Sequence, residues 1–217
     1  MASQEGQFEE KSQAIALRLV REFFSKAGNL DDCFIGFGAL LGGVRNKRFA
    51  GAPGDVDLII LLKTGQKANK LIDILKACGF EIVHDNTATM RDYIVARMYG
   101  MTLDLRIYRR VNFFGFGLVF RLAELEGWRM GDFKPERSID LYQFSFPAPK
   151  EAERMLRQWY GPDWLIPRRF ESFNNMTKKE VIQSLRTPQR KLLYLIAKAL
   201  RYCFIKSLRF RKFWLGV

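Results

Sequence analysis

Gly38-Ala39-Leu40-Leu41-Gly42-Gly43-Val44-Arg45, followed shortly by Gly54-Asp55-Val56-Asp57-Leu58, is the part of this 217-residue chain whose reading decides the fold. Val56 to Leu62 is a continuous apolar run, the pattern of a strand buried on both faces. Asp55 and Asp57 stand two apart at its head. Side chains alternate along a strand, so both carboxylates leave the same face. Upstream, Cys33 to Phe37 is a short apolar run that enters the glycine-rich stretch, which reads as a strand turning into a helix near Gly38.

Two carboxylates on one face repel each other unless a cation neutralises them, and oxygen-only ligation favours Mg²⁺ or Mn²⁺. A third acid, Asp104, interrupts another apolar strand, Met101-Thr-Leu-Asp-Leu-Arg-Ile-Tyr108. An acid within such a strand is costly to bury without a partner or a metal. If the two strands are neighbours, Asp55, Asp57 and Asp104 converge on one or two metal ions. That set suits phosphoryl transfer, in which bound metal screens phosphate charge and steadies the attacking and leaving oxygens. The turn at Gly38 and Ala39 lets backbone N–H groups approach a donor phosphate at a helix N-terminus. Arg45, about two helical turns further on, is a candidate for bidentate phosphate binding.

Outward from this segment, Glu9 to Ala27 reads as an amphipathic helix stopped by Gly28-Asn29, and Asn69 to Ala77 as a second helix closed by Gly79. Phe80 to His84, Tyr93 to Tyr99 and Met101 to Tyr108 read as strands, the last two joined around Gly100. Beyond Val111 the pattern is mixed until a helix at Glu151 to Tyr160, ended by Gly161-Pro162. His84 is the only histidine, and Cys33, Cys78 and Cys203 have no paired spacing, which argues against a zinc site and a disulfide scaffold. His84 reads as a surface or structural residue.

The residues just quoted carry a resemblance. Gly38 to Phe49 with Asp55-Val56-Asp57 is similar to the signature of the LicD/fukutin family, which reads G-T-L-L-G-x-V-R, a basic link, then an acidic cluster ending D-I-D. Pro147-Ala-Pro149, Met155-Leu156 and Trp159-Tyr160-Gly161-Pro162-Asp163-Trp164 resemble the family's second signature, a proline-led segment and a helix before Y-G-x-D-W. The resemblance implies a nucleotidyltransferase core that moves phosphocholine or a polyol phosphate from a CDP-linked donor to a glycan. It implies metal binding by Asp55, Asp57 and Asp104, and a donor-phosphate site including Gly38, Ala39 and Arg45. Tyr160, Asp163 and Trp164 are candidates for the acceptor side, or aromatics of a Gly-Pro turn packed on the core. The family's two further acids before D-x-D are replaced here by Gly51-Ala52-Pro53-Gly54, which leaves the choice of donor open.

The net charge of +13 suits a phosphate-rich partner. From Gln189 to Val217 there are eight Lys/Arg and no acid. On a helical wheel the basic residues oppose Leu192, Ile196, Leu200, Cys203, Phe210 and Trp214, the pattern of an interfacial helix on anionic lipid or of a helix packed on the core with a solvated basic face. Nucleic acid is a weaker partner, because the basic residues do not interleave with stacking aromatics on strands. The N-terminus has no signal-peptide pattern. The expectations are an α+β nucleotidyltransferase-like domain over residues 1–175, a mixed sheet flanked by helices, and a basic amphipathic helical extension over residues 176–217. The enzyme is expected in the cytoplasm, peripheral at the inner face of a membrane. Two other readings stay open: a nucleotidyltransferase that modifies a small molecule, and a degenerate, non-catalytic membrane-associated module.

Overall fold

The computed structural model describes residues 4–27, 32–63, 68–85, 93–113, 116–121, 126–133 and 137–167. The helix α1 (Gln4–Ala27) buries Ala16, Leu19, Val20, Phe23 and Ala27, a stripe at helical spacing. It packs on the sheet and on a second helix, α3 (Asn69–Ala77). Between them come β1 (Cys33–Ile35), α2 (Phe37–Asn46) and β2 (Asp55–Lys63). After α3 follow β3 (Glu81–Asp85), β4 (Tyr93–Met98) and β5 (Met101–Phe113). The main sheet has the order β1-β2-β5-β4-β3. In it β2 and β5 are parallel and every other neighbour on this path is antiparallel.

The apolar run of β2 explains its central place: Leu58 to Leu62 are all buried, so both faces need cover. A parallel neighbour cannot be reached by a tight turn. The chain therefore crosses over through α3, β3 and β4 before β5 aligns beside β2. Tyr99 and Gly100 both have positive φ, 55° and 77°, the conformation that a two-residue hairpin turn demands between β4 and β5.

Several boundaries depart from expectation. α1 begins at Gln4, five residues before Glu9, and α2 begins at Phe37 rather than Gly38. β5 runs five residues past Tyr108 to Phe113. The mixed region beyond it forms β6 (Phe116–Arg121) and β7 (Glu126–Arg129), which extend the sheet from the far end of β5. These strands are held by cross-strand pairing, which no local periodicity announces. A 3₁₀ turn at Met130–Phe133 and a separate hairpin, β8 (Arg137–Leu141) and β9 (Phe144–Ala148), lead to α4 (Ala152–Tyr160). The basic extension expected over residues 176–217 lies outside the described residues, as does the division at residue 175. Among the described residues no helix is long and apolar enough to cross a membrane.

α2 is docked by a close backbone approach. A Cβ on Gly42 would lie 2.1 Å from the Arg48 carbonyl oxygen and 2.4 Å from the Ala50 nitrogen. The glycine lets the returning chain lie flat on the helix, which brings it back toward Asp55. The hairpin is tied to the same place, for the Tyr142 N–H donates to the Lys47 carbonyl.

Candidate active site

The parallel register pairs Asp57 with Asp104 and Asp55 with Thr102. Registered residues of adjacent strands share a face, so all three acids leave the same side of the sheet. Asp55 is exposed, while Asp57 and Asp104 are half-buried. Among the described residues no three His, Cys, Asp or Glu side chains are drawn together into a ready-made cation cage. Asp57 is engaged by another cation: the Arg106 Nε–H donates to Asp57 Oδ1 at 2.7 Å. Arg106 follows Asp104 by two residues on β5 and so leaves the same face.

Arg106 is itself held. Its guanidinium carbon lies 4.3 Å from the centre of the Phe37 ring, and Phe37 stacks on Trp159 of α4 at 4.2 Å and 17°. Phe37 opens α2 with φ of 42°, a left-handed conformation that costs a bulky residue about 1–3 kcal/mol. The turn at this point is set by β1, since the Gly36 N–H donates to the Asp57 carbonyl at 3.1 Å. Gly36, the N-cap, supplies no side-chain cap and the first turn of α2 carries no acid, so neither offers an anion to the leading N–H groups. Around Gly38 nothing stands within 4 Å of where a Cβ would project.

Arg45, in the last turn of α2, donates through Nη2 to the Ile166 carbonyl at 3.2 Å. Its Nε is buried and has no hydrogen-bond partner among the described residues. Burial pulls the guanidinium pKa down, and Tyr160 acts in the opposite sense. The Tyr160 hydroxyl is pushed up, first by burial and then by Asp57, with Asp55 adding and with Arg106 and Arg45 opposing. Tyr160 thus shares one electrostatic neighbourhood with Asp55, Asp57 and both arginines. Trp164 is buried, and Asp163 beside it is exposed.

The loop before Asp55 is clamped by α1. Gln13, only 3% exposed, donates to the Gly51 carbonyl at 2.9 Å, and the Ser12 hydroxyl donates to the Pro53 carbonyl. Tyr142 of the hairpin in turn donates to Gln13 Oε1. Sequence reasoning missed Arg106, Phe37 and this clamp. For Arg106 the signal was present, because the two-residue period that pairs Asp55 with Asp57 also pairs Asp104 with Arg106. For Ser12 and Gln13 there was none, since they lie 41 and 38 residues from their respective loop partners.

His84 is exposed on β3, two strands from β5 at the sheet edge. Cys33 and Cys78 are buried free thiols, and burial raises the pKa of both. The basic charge is concentrated toward the C-terminal part of the sequence. Residues 168–217 hold 13 of the 36 Lys/Arg and only 2 of the 23 acids, so residues 1–167 are nearly neutral.

No protein-family model and no curated protein sequence matches this chain. Solved structures do. The solution structure of the antibiotic-resistance factor ANT(2'')-Ia superposes with a TM-score of 0.50 at 14% identity, covering 92% of this chain and 99% of the other. The crystal structure of ANT(2'')-Ia in complex with adenylyl-2''-tobramycin gives a TM-score of 0.48 at 17% identity, covering 86% and 98%. The fold is that of the nucleotidyltransferases: a mixed sheet flanked by helices, as the sequence led us to expect.

Proposed function

We propose that this chain is a metal-dependent nucleotidyltransferase that attaches a nucleotide to a hydroxyl of a small molecule. The observation that carries the reading is the register of Asp57 against Asp104 on adjacent parallel strands, with Asp55 two residues before and the open N-terminus of α2 alongside. The comparison supports it at the level of fold, the neighbour being an aminoglycoside nucleotidyltransferase.

The donor set is all oxygen and fits Mg²⁺ or Mn²⁺, with Asp55, Asp57 and Asp104 as the residues that would hold the ion. When bound, the metal would screen the donor phosphates and stabilise the charge that develops on the α-phosphate. The chain's own groups do the rest. The N–H groups at Gly38 and Ala39 face a donor phosphate with the positive end of the α2 dipole behind them. Arg45 has a buried Nε available for a phosphate oxygen, which would satisfy an otherwise unpaired donor. The acceptor hydroxyl oxygen bonds to the α-phosphorus as the bond to the bridging oxygen breaks; the hydroxyl proton passes to water and pyrophosphate leaves. Tyr160, with Asp163 and Trp164 behind it, is assigned to the acceptor side.

A second reading has a specific observation in its favour. The stretches Gly38 to Asp57 and Pro147 to Trp164 resemble the LicD/fukutin signatures, and α2 and α4, which carry parts of them, meet through the Phe37–Trp159 stack. In that reading the same groups hold a CDP-linked donor, a phospho-alcohol passes to a glycan, and CMP leaves. The peripheral membrane role belongs with this reading. Mass spectrometry of product separates the two, using purified protein with Mg²⁺, nucleoside triphosphates or CDP-alcohols, and panels of small hydroxylated acceptors and glycans. A nucleoside monophosphate on the acceptor with pyrophosphate released is the expected result. A phospho-alcohol on a glycan with CMP released overturns it in favour of the second reading.

A further inference from the structure

The first helix carries a feature that neither reading uses. Its apolar stripe of Ala16, Leu19, Val20, Phe23 and Ala27 begins one turn earlier with two buried polar residues, Ser12 and Gln13. Apolar side chains there would extend the stripe and add burial, whereas a hydrogen bond formed on folding replaces one to water and adds little net stability. What a fully paired buried network fixes is geometry. The Gln13 amide is engaged on both sides: Nε2 donates to Glu9 Oε1 at 3.0 Å and to the Gly51 carbonyl at 2.9 Å, and Oε1 accepts from the Tyr142 hydroxyl. The Ser12 hydroxyl donates to the Pro53 carbonyl. Both loop carbonyls belong to the connection that leads into Asp55. Gly51, Ala52 and Gly54 are exposed, and a Cβ on either glycine would meet nothing within 4 Å. Two glycines give such a loop wide conformational freedom. Asp55 opens β2 directly after Gly54, so the path of the loop sets where its carboxylate stands.

We propose that Ser12 and Gln13, with Tyr142 behind them, are positioning residues for Asp55 as a metal ligand. This rests on the proposed metal site. By holding the Gly51 and Pro53 carbonyls, α1 keeps the loop on one path and the Asp55 carboxylate on the face that carries Asp57 and Asp104. Tyr142 brings the β8–β9 hairpin into the same device, for its N–H donates to the Lys47 carbonyl at the other end of the connection. The chain between α2 and β2 is thus gripped at Lys47, Gly51 and Pro53. Released from the clamp, the loop samples more conformations, and Asp55 must be ordered when metal binds. That ordering costs conformational entropy and weakens binding.

The test is Mn²⁺ binding to the full chain with a non-hydrolysable nucleoside triphosphate present, followed by the loss of the free-ion EPR signal. The double variant Ser12→Ala/Gln13→Leu should bind Mn²⁺ about tenfold more weakly than wild type, the low end of what partners behind a metal ligand contribute. Ser12→Ala alone should lose about threefold, half of that in free energy. Should the double variant not fold, the single one decides, and wild-type affinity in it overturns the inference. Ala16→Gly, one turn further along the stripe, loosens α1 without touching the loop and should keep wild-type affinity. A loss in Ala16→Gly equal to that of the double variant overturns the inference. A cycle with Asp55→Asn reads whether the clamp acts through Asp55. In that background, removing the clamp should change Mn²⁺ affinity by less than about twofold, because residues acting through one another are not additive. An undiminished loss there also overturns the inference. Asp57→Asn separates the two levels of argument. If it binds Mn²⁺ with nucleotide as wild type does, the metal site itself falls, and the clamp's role with it. If it loses binding while Ser12→Ala/Gln13→Leu matches wild type, only the clamp's role falls.

Discussion

Two glycines four residues apart in α2 should respond to the same substitution in opposite ways. In Gly42→Ala the new methyl would lie 2.1 Å from the Arg48 carbonyl oxygen, 2.4 Å from the Ala50 nitrogen and 2.5 Å from the Phe49 carbonyl carbon. Ordinary contact between such atoms is near 3.5 Å, so the backbone of residues 48–50 must retreat by about 1.4 Å. Overpacking of this kind costs roughly 1–3 kcal/mol or more, offset by up to about 1 kcal/mol of helix propensity gained over glycine. A net loss near 2 kcal/mol lowers Tm by about 4–8 °C in a domain of this size. In Gly38→Ala the methyl meets nothing within 4 Å, so only the propensity gain remains and Tm should rise by about 2–4 °C. The ligand response separates them further. If donor phosphate approaches the N–H groups at Gly38, the added methyl obstructs it, and the thermal shift produced by Mg²⁺ with nucleotide should fall sharply in Gly38→Ala. Differential scanning calorimetry with and without ligand measures both arms. A Gly42→Ala protein as stable as wild type would refute the packing argument. A Gly38→Ala protein that keeps the full ligand shift would remove Gly38 from the phosphate site.

Asp57→Asn should cut turnover by about 10²–10³, the usual cost of one lost transition-state interaction. Because Asn still offers Oδ1 to Arg106, stability should fall by no more than about 1–2 kcal/mol, read by urea melts. Trp159→Ala removes the stack under Phe37 and should cost about 3–5 kcal/mol, with a smaller loss refuting its core role. Arg137 grips Glu153 through two hydrogen bonds of 2.6 Å, which hold that carboxyl below its ordinary range. A depressed carboxylate contributes stability above its unfolded value of about 4.3 and loses it as pH falls through the folded value. Arg137→Met should therefore be less stable than wild type near neutrality, and the gap should close as Glu153 protonates in acid. A gap that stays constant with pH would refute the pairing.

The chain announces by itself whatever is periodic or local. The apolar run Val56 to Leu62, the i,i+2 spacing of Asp55 and Asp57, the helices at Asn69–Ala77 and near Glu151–Tyr160, and the turn at Gly100 follow from residues that are neighbours in sequence. The same is true of Asp104 as an acid misplaced in an apolar strand. The expectation of an α+β nucleotidyltransferase-like sheet comes with the likeness of these same stretches to the LicD/fukutin signatures.

Only the tertiary structure decided how the acids are occupied. The parallel register that sets Asp57 against Asp104 is closed by backbone hydrogen bonds between strands 47 residues apart, and its offset is written in no local pattern. Arg106 on Asp57 depends on Phe37 and Trp159 meeting across two helices. The clamp of Ser12 and Gln13 on the loop before Asp55 joins the first helix to a turn distant in sequence. β6, β7 and the β8–β9 hairpin owe their existence to partners rather than to propensity, so the region past Val111 read as mixed. Local chemistry set the kinds of residue at this site, whereas long-range packing, which a linear reading cannot sum, set their partners.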